Sequence, residues 1–341
     1  MKEDLKRQLT SLLAEHRRLG IAEQLDYTKF YLYSIITHST AIEGSTVTEV
    51  EAQLLFDEGI TSSKRTIIEQ NMNLDLRDAY VYGMEWIRQH RPITPDWLVT
   101  LAAKVMARTG SEYHCVGGDF SAAKGELRRL NVTAGLGGKS YMSYLKVPTK
   151  LEAFCRELNA RRTAVNPDDV AAIYDLSFWA HFELVTIHPW ADGNGRTCRL
   201  LMNLLQMEFG VLPTKILKQD KAEYIQALID TRDNEDVSIF IDFMAALHCR
   251  HIEHDIEAYN SSIGDKIGEK DTKTAKIGDK KGAILSFIAD NPGAKASSIA
   301  DFIGLKPSRT RDYLAQLVKE GLVRTEGANK NRTYHLAENS K

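Results

Sequence analysis

Apolar residues recur three and four positions apart along most of the first 260 positions, the period of amphipathic helices. Thr48 and Glu51 have the spacing of a capping box, and Gly210 stands where a helix should stop. This pattern predicts a mainly α protein. The predicted helices cover 3–18, 27–43, 48–58, 66–90, 94–108, 149–162, 168–186, 195–209, 221–233 and 237–259.

The segment 127–147 departs from the helical period. Two runs rich in β-forming residues flank the glycine-rich stretch 135–138, which predicts a β-hairpin. A lone hairpin in a helical domain needs packing support, and its edge is open to pairing with another chain. Two roles therefore stay open: structural cover for the core, and a clamp for a bound protein segment.

The polar, glycine-containing segment 260–279 is interpreted as a linker. The residues after it form a compact pattern of helices and strands, which resembles a winged helix-turn-helix domain with 308–320 as its recognition helix. Pro307 begins that helix and Gly321 ends it. The predicted helices are 281–290, 296–303 and 308–320, and the predicted wing strands are 322–326 and 332–336.

The basic residues of this C-terminal module could contact phosphates, but acidic residues dilute their charge, so DNA and protein are alternative partners. The basic residues are Lys306, Arg309, Arg311, Lys330 and Arg332, and the acidic residues are Asp301, Asp312, Glu320 and Glu326.

The composition is that of an ordinary globular protein, with 43% hydrophobic and 26% charged residues among 341. A net charge of −2 argues against polyanion binding by the whole chain. The four scattered cysteines suggest neither a disulfide framework nor a zinc site. No signal peptide is predicted, and no stretch of about 18 continuous apolar residues predicts a membrane span. A cytoplasmic location without membrane contact is expected.

The loop His188-Pro-Trp-Ala-Asp-Gly-Asn-Gly-Arg-Thr-Cys-Arg199 concentrates the candidate chemistry. Gly193 and Gly195 stand at the beginning of a helix, where free backbone N–H groups favour a phosphate. Arg196 and Arg199 lie three apart on one side of its first turn. The loop therefore predicts an anion site backed by two guanidiniums.

Two further side chains of the loop fit phosphate chemistry. A carboxylate such as Asp192 beside a phosphate site calls for a cation between them, and Mg²⁺ is the usual one. His188, just before the loop, suits a general base. A capping loop with surface arginines is the alternative, but seven specified positions with compatible roles make it weaker.

These residues resemble the Fic family signature, His-x-Phe-x-Asp/Glu-Gly-Asn-Gly-Arg-x-x-Arg, and the resemblance extends over about residues 25–260. Trp190 departs from the usual Phe. The resemblance implies a helical Fic core in which the 127–147 hairpin is the flap. The implied domains are an N-terminal helical region with an inhibitory helix (1–92), the Fic core (93–259), the linker (260–279) and the winged helix domain (280–341).

The resemblance implies transfer of AMP from ATP to a Tyr, Thr or Ser hydroxyl of a target protein, with self-modification expected. His188 would accept the hydroxyl proton, and Asp192 would hold Mg²⁺ on the phosphates. Asn194 and the backbone of Gly193 and Gly195 would stabilise the transferred phosphate. Arg196 and Arg199 would bind the β- and γ-phosphate respectively.

The segment Ser39-Thr-Ala-Ile-Glu43-Gly resembles the family's inhibitory motif, Ser/Thr-x-x-x-Glu-Gly/Asn. Ser39 and Glu43 are four apart and share one helix face. The resemblance implies that Glu43 pairs with Arg199 and keeps the γ-phosphate from its productive binding position. Without the neighbouring loop, an ordinary solvated helix end would be the better interpretation.

Tyr224 matches a family tyrosine in the nucleotide pocket, but a core aromatic is an equal alternative. Two other functions also stay open: a DNA-binding regulator whose Fic core senses nucleotide, and removal of AMP with Glu43 positioning water. The target would bind along the 127–147 hairpin. No pattern decides the oligomeric state, and a homodimer is retained as one alternative.

Overall fold

The structure is a computed structural model, and it describes residues 1–134, 139–268, 284–285, 287–289, 291–303, 307–319, 321–327 and 332–337. The chain divides into two compact units, Met1–Ser261 and Ser262–Lys341. The first unit carries the predicted site loop, and the second carries the predicted winged helix.

The first unit is helical, and most helix bounds agree with the hydrophobic period to within three residues. Its helices are α1 (Glu3–Arg18), α2 (Tyr27–Ile42), α3 (Glu49–Glu58), α4 (Ile67–Arg88), α5 (Pro95–Val105), α6 (Val147–Ala164), α7 (Val170–Ile187), α8 (Asn194–Glu208), α9 (Lys221–Asn234) and α10 (Val237–Gly268). The predicted capping box is present, because Thr48 and Glu51 bond to each other's backbone N–H.

The helix α7 lies at the centre of the hydrophobic core. It is long and apolar enough to cross a membrane by length and composition, with a mean hydropathy of 1.2, and 72% of that window is buried in the protein. Burial on all sides explains its apolar character, as for a core helix. The neighbouring α8 packs against both α7 and α4.

The C-terminal end of α2 is fixed to α4 by buried polar contacts. The Thr40 hydroxyl donates to the Asn73 side chain at 3.1 Å, and Asn73 donates to Ser45 at 3.3 Å. Gly44 ends the helix with a φ of +108°, a conformation that suits glycine. The position of Ser39 and Glu43 is therefore set by the packing of α2 against α4.

The predicted hairpin over 127–147 is present, but its paired part among the described residues is short. It consists of the antiparallel bridge between Thr133 and Ser140, flanked by backbone hydrogen bonds from the Tyr141 N–H to the Val132 carbonyl at 3.0 Å and from the Ala134 N–H to the Lys139 carbonyl at 3.1 Å. Residues 135–138 lie outside the description, and α6 already begins at Val147. The buried Arg128 guanidinium donates to the carbonyls of Leu130 at 2.8 Å and Met142 at 2.6 Å. The Arg128 side chain thus holds the two arms of this segment together beyond the paired part. We call residues 127–146 the flap.

Two further differences concern short or polar segments. A small antiparallel pair, β1 (Glu112–Tyr113) with β2 (Phe120–Ser121), was not predicted, because two-residue strands carry no alternating pattern. The helix α10 runs to Gly268, beyond the predicted helix end at residue 259. An established helix extends at little cost into polar sequence.

The second unit has the predicted order of helices and wing. The helices Ala296–Ile303 and Pro307–Lys319 precede the strands β4 (Val323–Glu326) and β5 (Thr333–Leu336). A third strand, β3 (Ala294–Lys295), pairs with β5 and was not predicted. Arg311 and Arg332 are exposed, and the side chains of Lys306, Arg309 and Lys330 lie outside the described residues.

Gly83 lets α4 approach α8 closely, and its replacement tests this packing. A Cβ at Gly83 would lie 2.4 Å from the Cδ1 atom of Leu204, which is fully buried. Gly83→Ala would gain up to ~1 kcal/mol of helix propensity, but we expect a net loss of ~1–3 kcal/mol from overpacking. Urea unfolding measures the change. Two results would contradict this packing. One is that Gly83→Ala lowers the free energy of unfolding as much in a Leu204→Ala background as in the wild type, and the other is that Gly83→Ala stabilises the protein.

Candidate active site

The side chain of Trp190 anchors the loop between α7 and α8 in the hydrophobic core. Its ring is buried, and its indole N–H donates to the Gly125 carbonyl at 2.9 Å. The Asn194 side chain is bonded to the Trp190 backbone in both directions, at 2.8 Å and 3.1 Å. Trp190 thus anchors the loop in the core, and Asn194 braces the turn that follows it.

The two glycines of the loop stand at positions without room for a side chain. Gly193 has a φ of +81° and is the N-cap of α8, and a Cβ there would lie 2.7 Å from the Met106 sulfur. A Cβ on Gly195 would lie 2.5 Å from Glu43 Oε1. The backbone at the beginning of α8 therefore carries no side chain at Gly193 or Gly195, so an anion can approach it closely.

The two arginines of the loop are both buried, but their surroundings differ. Arg196 reaches the Met106 sulfur at 3.0 Å and the Val105 carbonyl at 3.5 Å, and its Nε has no partner among the described residues. Burial lowers the pKa of Arg196. A buried guanidinium with unused donors beside bare backbone N–H groups favours an anionic ligand at this point.

Arg199 is bonded to one end of α2 by three hydrogen bonds. Its Nε donates to the Ser39 hydroxyl at 2.8 Å, and its Nη2 donates to the Ser39 carbonyl at 2.9 Å and to Glu43 Oε1 at 2.7 Å. Burial opposes ionisation of Glu43, but the charge and hydrogen bond of Arg199 outweigh it and lower the pKa of that carboxyl. The pair is therefore ionised on both sides at neutral pH.

His188 ends α7 in a left-handed conformation, with a φ of +51°. Its Nδ1 lies 3.3 Å from the Val185 carbonyl. Because a carbonyl only accepts, this bond places the ring proton on Nδ1 and leaves Nε2 as an acceptor. Burial, helped by the charges of Arg128 and Arg232, lowers the pKa of His188 to about 4. The imidazole is therefore neutral at physiological pH.

The flap covers His188 with an aromatic side chain. The rings of Tyr141 and His188 are stacked, with centroids 3.8 Å apart and an interplanar angle of 19°. The Arg232 guanidinium of α9 lies 4.9 Å from the Tyr141 ring centroid. Lys139 pairs with Asp233 at 2.5 Å, so two contacts join the flap to α9. A protein segment on the flap would thus lie next to His188.

Asp192 is the exposed acid of the loop. One carboxylate oxygen accepts from the Gly193 N–H at 2.6 Å and lies 3.9 Å from the Arg196 guanidinium. No cluster of three metal-ligating side chains occurs in the part of the chain that the structure describes. One exposed carboxylate beside the N-terminus of α8 nevertheless fits Mg²⁺, which takes most of its ligands from phosphates and water.

Tyr224 is a core residue in this structure. Its side chain is buried, and its hydroxyl lies 2.9 Å from His181 Nε2. Burial raises the pKa of Tyr224 to about 12, against the opposing charge of Arg199. These contacts are those of a core aromatic residue. Contact between Tyr224 and a nucleotide stays a prediction.

The residues that support His188 from the flap side were not predicted from the sequence. Arg128 donates to the His188 carbonyl at 2.7 Å and reaches across the flap, and Tyr141 stacks on the imidazole. Nothing in the sequence separates the buried Arg128 from the exposed Arg129. The motif begins at His188 and continues along the chain to Arg199. The contacts from Arg128 and Tyr141 come instead from a segment about 50 positions earlier.

Family comparisons agree with this fold. Residues 92–206 match the Fic/DOC family, and residues 279–324 match the winged helix-turn-helix DNA-binding family. The chain therefore carries a Fic domain followed by a winged helix domain.

Individual relatives and solved structures give the same result. The chain is 30% identical over 230 residues to the "Protein adenylyltransferase Fic" of Nematostella vectensis, covering 67% of this chain and 48% of that protein. It spans about half the length of the curated relatives it matches. The fold is similar to Fic-1 of C. elegans (TM-score 0.58, 22% identity, 76% of this chain and 73% of that chain). A Fic family protein of Desulfovibrio desulfuricans matches with a TM-score of 0.56 at 16% identity, over 98% and 97% of the two chains.

The neutrality of His188 is directly measurable. We expect its ring to titrate near pH 4 in the ligand-free protein, because burial and neighbouring guanidiniums disfavour the cation. NMR of the histidine ring protons measures this midpoint, with His188→Ala assigning the signal. Since the unfolded value is ~6.5, the neutral ring stabilises the fold above that pH, and this contribution falls as the pH drops towards 4. A midpoint at or above 6.5 would contradict this environment.

Replacement of Trp190 by the usual family residue tests the loop anchor. Trp190→Phe would leave the buried Gly125 carbonyl without its indole donor and reduce the packed volume. We expect a loss of ~1–3 kcal/mol in the free energy of unfolding, measured in urea. Trp86→Phe is the matched control, because its indole bonds to the Pro92 carbonyl in an exposed setting where water can replace it. Equal costs for the two variants would argue against the anchor.

Proposed function

We propose that this protein transfers AMP from ATP to a hydroxyl of a target protein. The observation that supports this most strongly is the arrangement at the beginning of α8. A neutral imidazole, a helix N-terminus with glycines at Gly193 and Gly195, and two buried guanidiniums belong to this one short loop. The name of the Nematostella vectensis relative, a protein adenylyltransferase, supports the same activity.

His188 acts as the general base in the proposed reaction. Its Nε2 takes the proton of the target hydroxyl, and the hydroxyl oxygen forms a bond to the α-phosphorus of ATP. The bond between that phosphorus and the β-phosphate oxygen breaks, and pyrophosphate leaves. The hydrogen bond from Nδ1 to Val185 holds the ring with Nε2 free for this transfer.

The loop residues stabilise the phosphates. With Asn194 bracing their turn, the Gly195 N–H and, once released from Asp192, the Gly193 N–H would face the transferred phosphate. Arg196 binds the β-phosphate and Arg199 the γ-phosphate, where positive charge balances the charge that the leaving group gains. Asp192 would hold Mg²⁺, which neutralises phosphate charge and fixes its geometry when bound.

The protein is proposed to be autoinhibited by Glu43. The carboxylate accepts from Arg199 at 2.7 Å, and its Oε1 lies where a side chain on Gly195 would stand. A γ-phosphate seated on Arg199 would meet this negative charge at close range. The carboxylate and the phosphate thus compete for one guanidinium, and basal activity is expected to be low.

The flap is the proposed binding surface for the target. Its backbone next to the Thr133–Ser140 bridge can pair with an extended peptide, which would bring a Tyr, Thr or Ser hydroxyl to His188. The same geometry allows self-modification by a segment of a second copy. The winged helix domain provides a separate contact for DNA or protein, because its family is described as DNA-binding. A purely DNA-binding regulator would give no AMP transfer even when inhibition is removed.

Removal of Glu43 is the test of this proposal. We expect Glu43→Gly to raise incorporation of labelled AMP on the order of tenfold or more, because a charge-assisted contact is worth at least ~1.4 kcal/mol. Incorporation is measured from labelled ATP, on the protein itself and on lysate proteins. Equal rates for wild type and Glu43→Gly at equal ATP occupancy would reject the inhibitory role.

Two control variants complete the assay. Glu58→Gly changes an exposed glutamate at the end of α3 and should leave the rate unchanged. Glu43→Gly combined with His188→Ala should lose incorporation. Incorporation that persists without His188 would contradict the proposed base.

A further inference from the structure

A cavity lies in the first unit, away from the α8 loop. It has a volume of about 470 Å³, within the range of small-molecule sites. The helices α1, α2 and α4 and the segment after α8 enclose it. Its walls are mainly apolar and include Leu13, Leu32, Ile35, Met84, Ile87 and Val211. None of the residues assigned to the α8 loop or to its inhibition lines this cavity, so it is a separate candidate site.

The mouth of the cavity carries cationic side chains. Arg17 is exposed and has no side-chain partner among the described residues, and Arg88 has only a 3.8 Å contact to Glu85. Glu23 is the one acidic side chain on the lining, so the guanidiniums leave a net positive mouth. A charge of this sign above an apolar interior suits a molecule with an apolar body and an anionic end.

Inside, the polar contacts are already satisfied. His16 is buried and lies 3.2 Å from the Tyr27 hydroxyl, and burial lowers its pKa. Tyr31 donates to the Pro213 carbonyl at 2.9 Å. Neither contact places a charge in the interior of the cavity. An apolar group can therefore occupy the interior without leaving a buried charge unpaired.

The cavity and the inhibitory contact share one helix. Tyr27, Tyr31 and Ile35 of α2 line the cavity, and Ser39 and Glu43 of the same helix hold Arg199. Ile35 and Ser39 are one helical turn apart, about 6 Å. A ligand that fills the cavity therefore contacts the helix whose position decides whether Glu43 reaches Arg199.

We propose that this cavity binds a medium-chain carboxylate, which holds α2 in the inhibitory position. The inference rests on the proposed function of the α8 loop for its effect on activity, but not for binding. The direction follows from the geometry, since the cavity is formed in the conformation in which Glu43 bonds to Arg199. A ligand that prefers this conformation increases its population.

Binding is tested with decanoate, below its micelle concentration, by titration calorimetry on the full chain. We expect one site per chain, affinity reduced at least tenfold by Thr28→Trp, which fills the mouth, and reduced several-fold by Arg17→Gln. Decanol, the neutral control of equal length, should bind several-fold more weakly. No heat of binding, equal affinity for decanol, or unchanged affinity in both variants would overturn the site as proposed. Thermal unfolding of each variant shows whether the fold is kept.

Regulation is tested by AMP transfer in the presence of decanoate. We expect the wild-type rate to fall several-fold at saturation, whereas Glu43→Gly should bind decanoate but keep its rate. A rise in the wild-type rate, or equal inhibition of both proteins, would overturn coupling through α2. If Glu43→Gly transfers no AMP at all, the proposed function fails, and the binding titration still decides the cavity.

Discussion

The Arg199 guanidinium connects the two parts of this protein on which its proposed activity depends. It belongs to the first turns of α8, next to the bare backbone of Gly193 and Gly195, but its hydrogen bonds go to Ser39 and Glu43 of α2. A buried guanidinium needs anionic or carbonyl partners in every state of the protein. In the proposed function, the position of α2 therefore governs which anion Arg199 can bind.

Packing further from the loop makes this arrangement rigid. Thr40 and Asn73 fasten the end of α2 to α4, and Gly83 lets α4 approach α8 closely. Trp190 anchors the loop in the core through the Gly125 carbonyl. Because α2, α4 and α8 form one packed group, a displacement of α2 changes the surroundings of the phosphate seat directly.

The sequence predicted the helices well because their apolar faces repeat over many turns, as in α4 and α8. The loop was predictable because its residues are adjacent along the chain and each has a chemical reason to be there. The flap hairpin was predicted, but the shortness of its paired part was not, since the bonds from Arg128 to the Leu130 and Met142 carbonyls leave no periodic signal. Contact between Tyr141 and His188 was missed for the same reason. The Fic domain and winged helix were both confirmed by the family comparisons.

The central claim is that Glu43 and the γ-phosphate compete for Arg199. The most direct measurement is a pair of crystal structures, wild type and Glu43→Gly, each with an ATP analogue that resists cleavage between its α- and β-phosphates. The account predicts a γ-phosphate oxygen within hydrogen-bond distance of the Arg199 guanidinium in Glu43→Gly, and a displaced γ-phosphate in the wild type. The same phosphate position in both structures, or no phosphate contact with Arg199 in either, would contradict it.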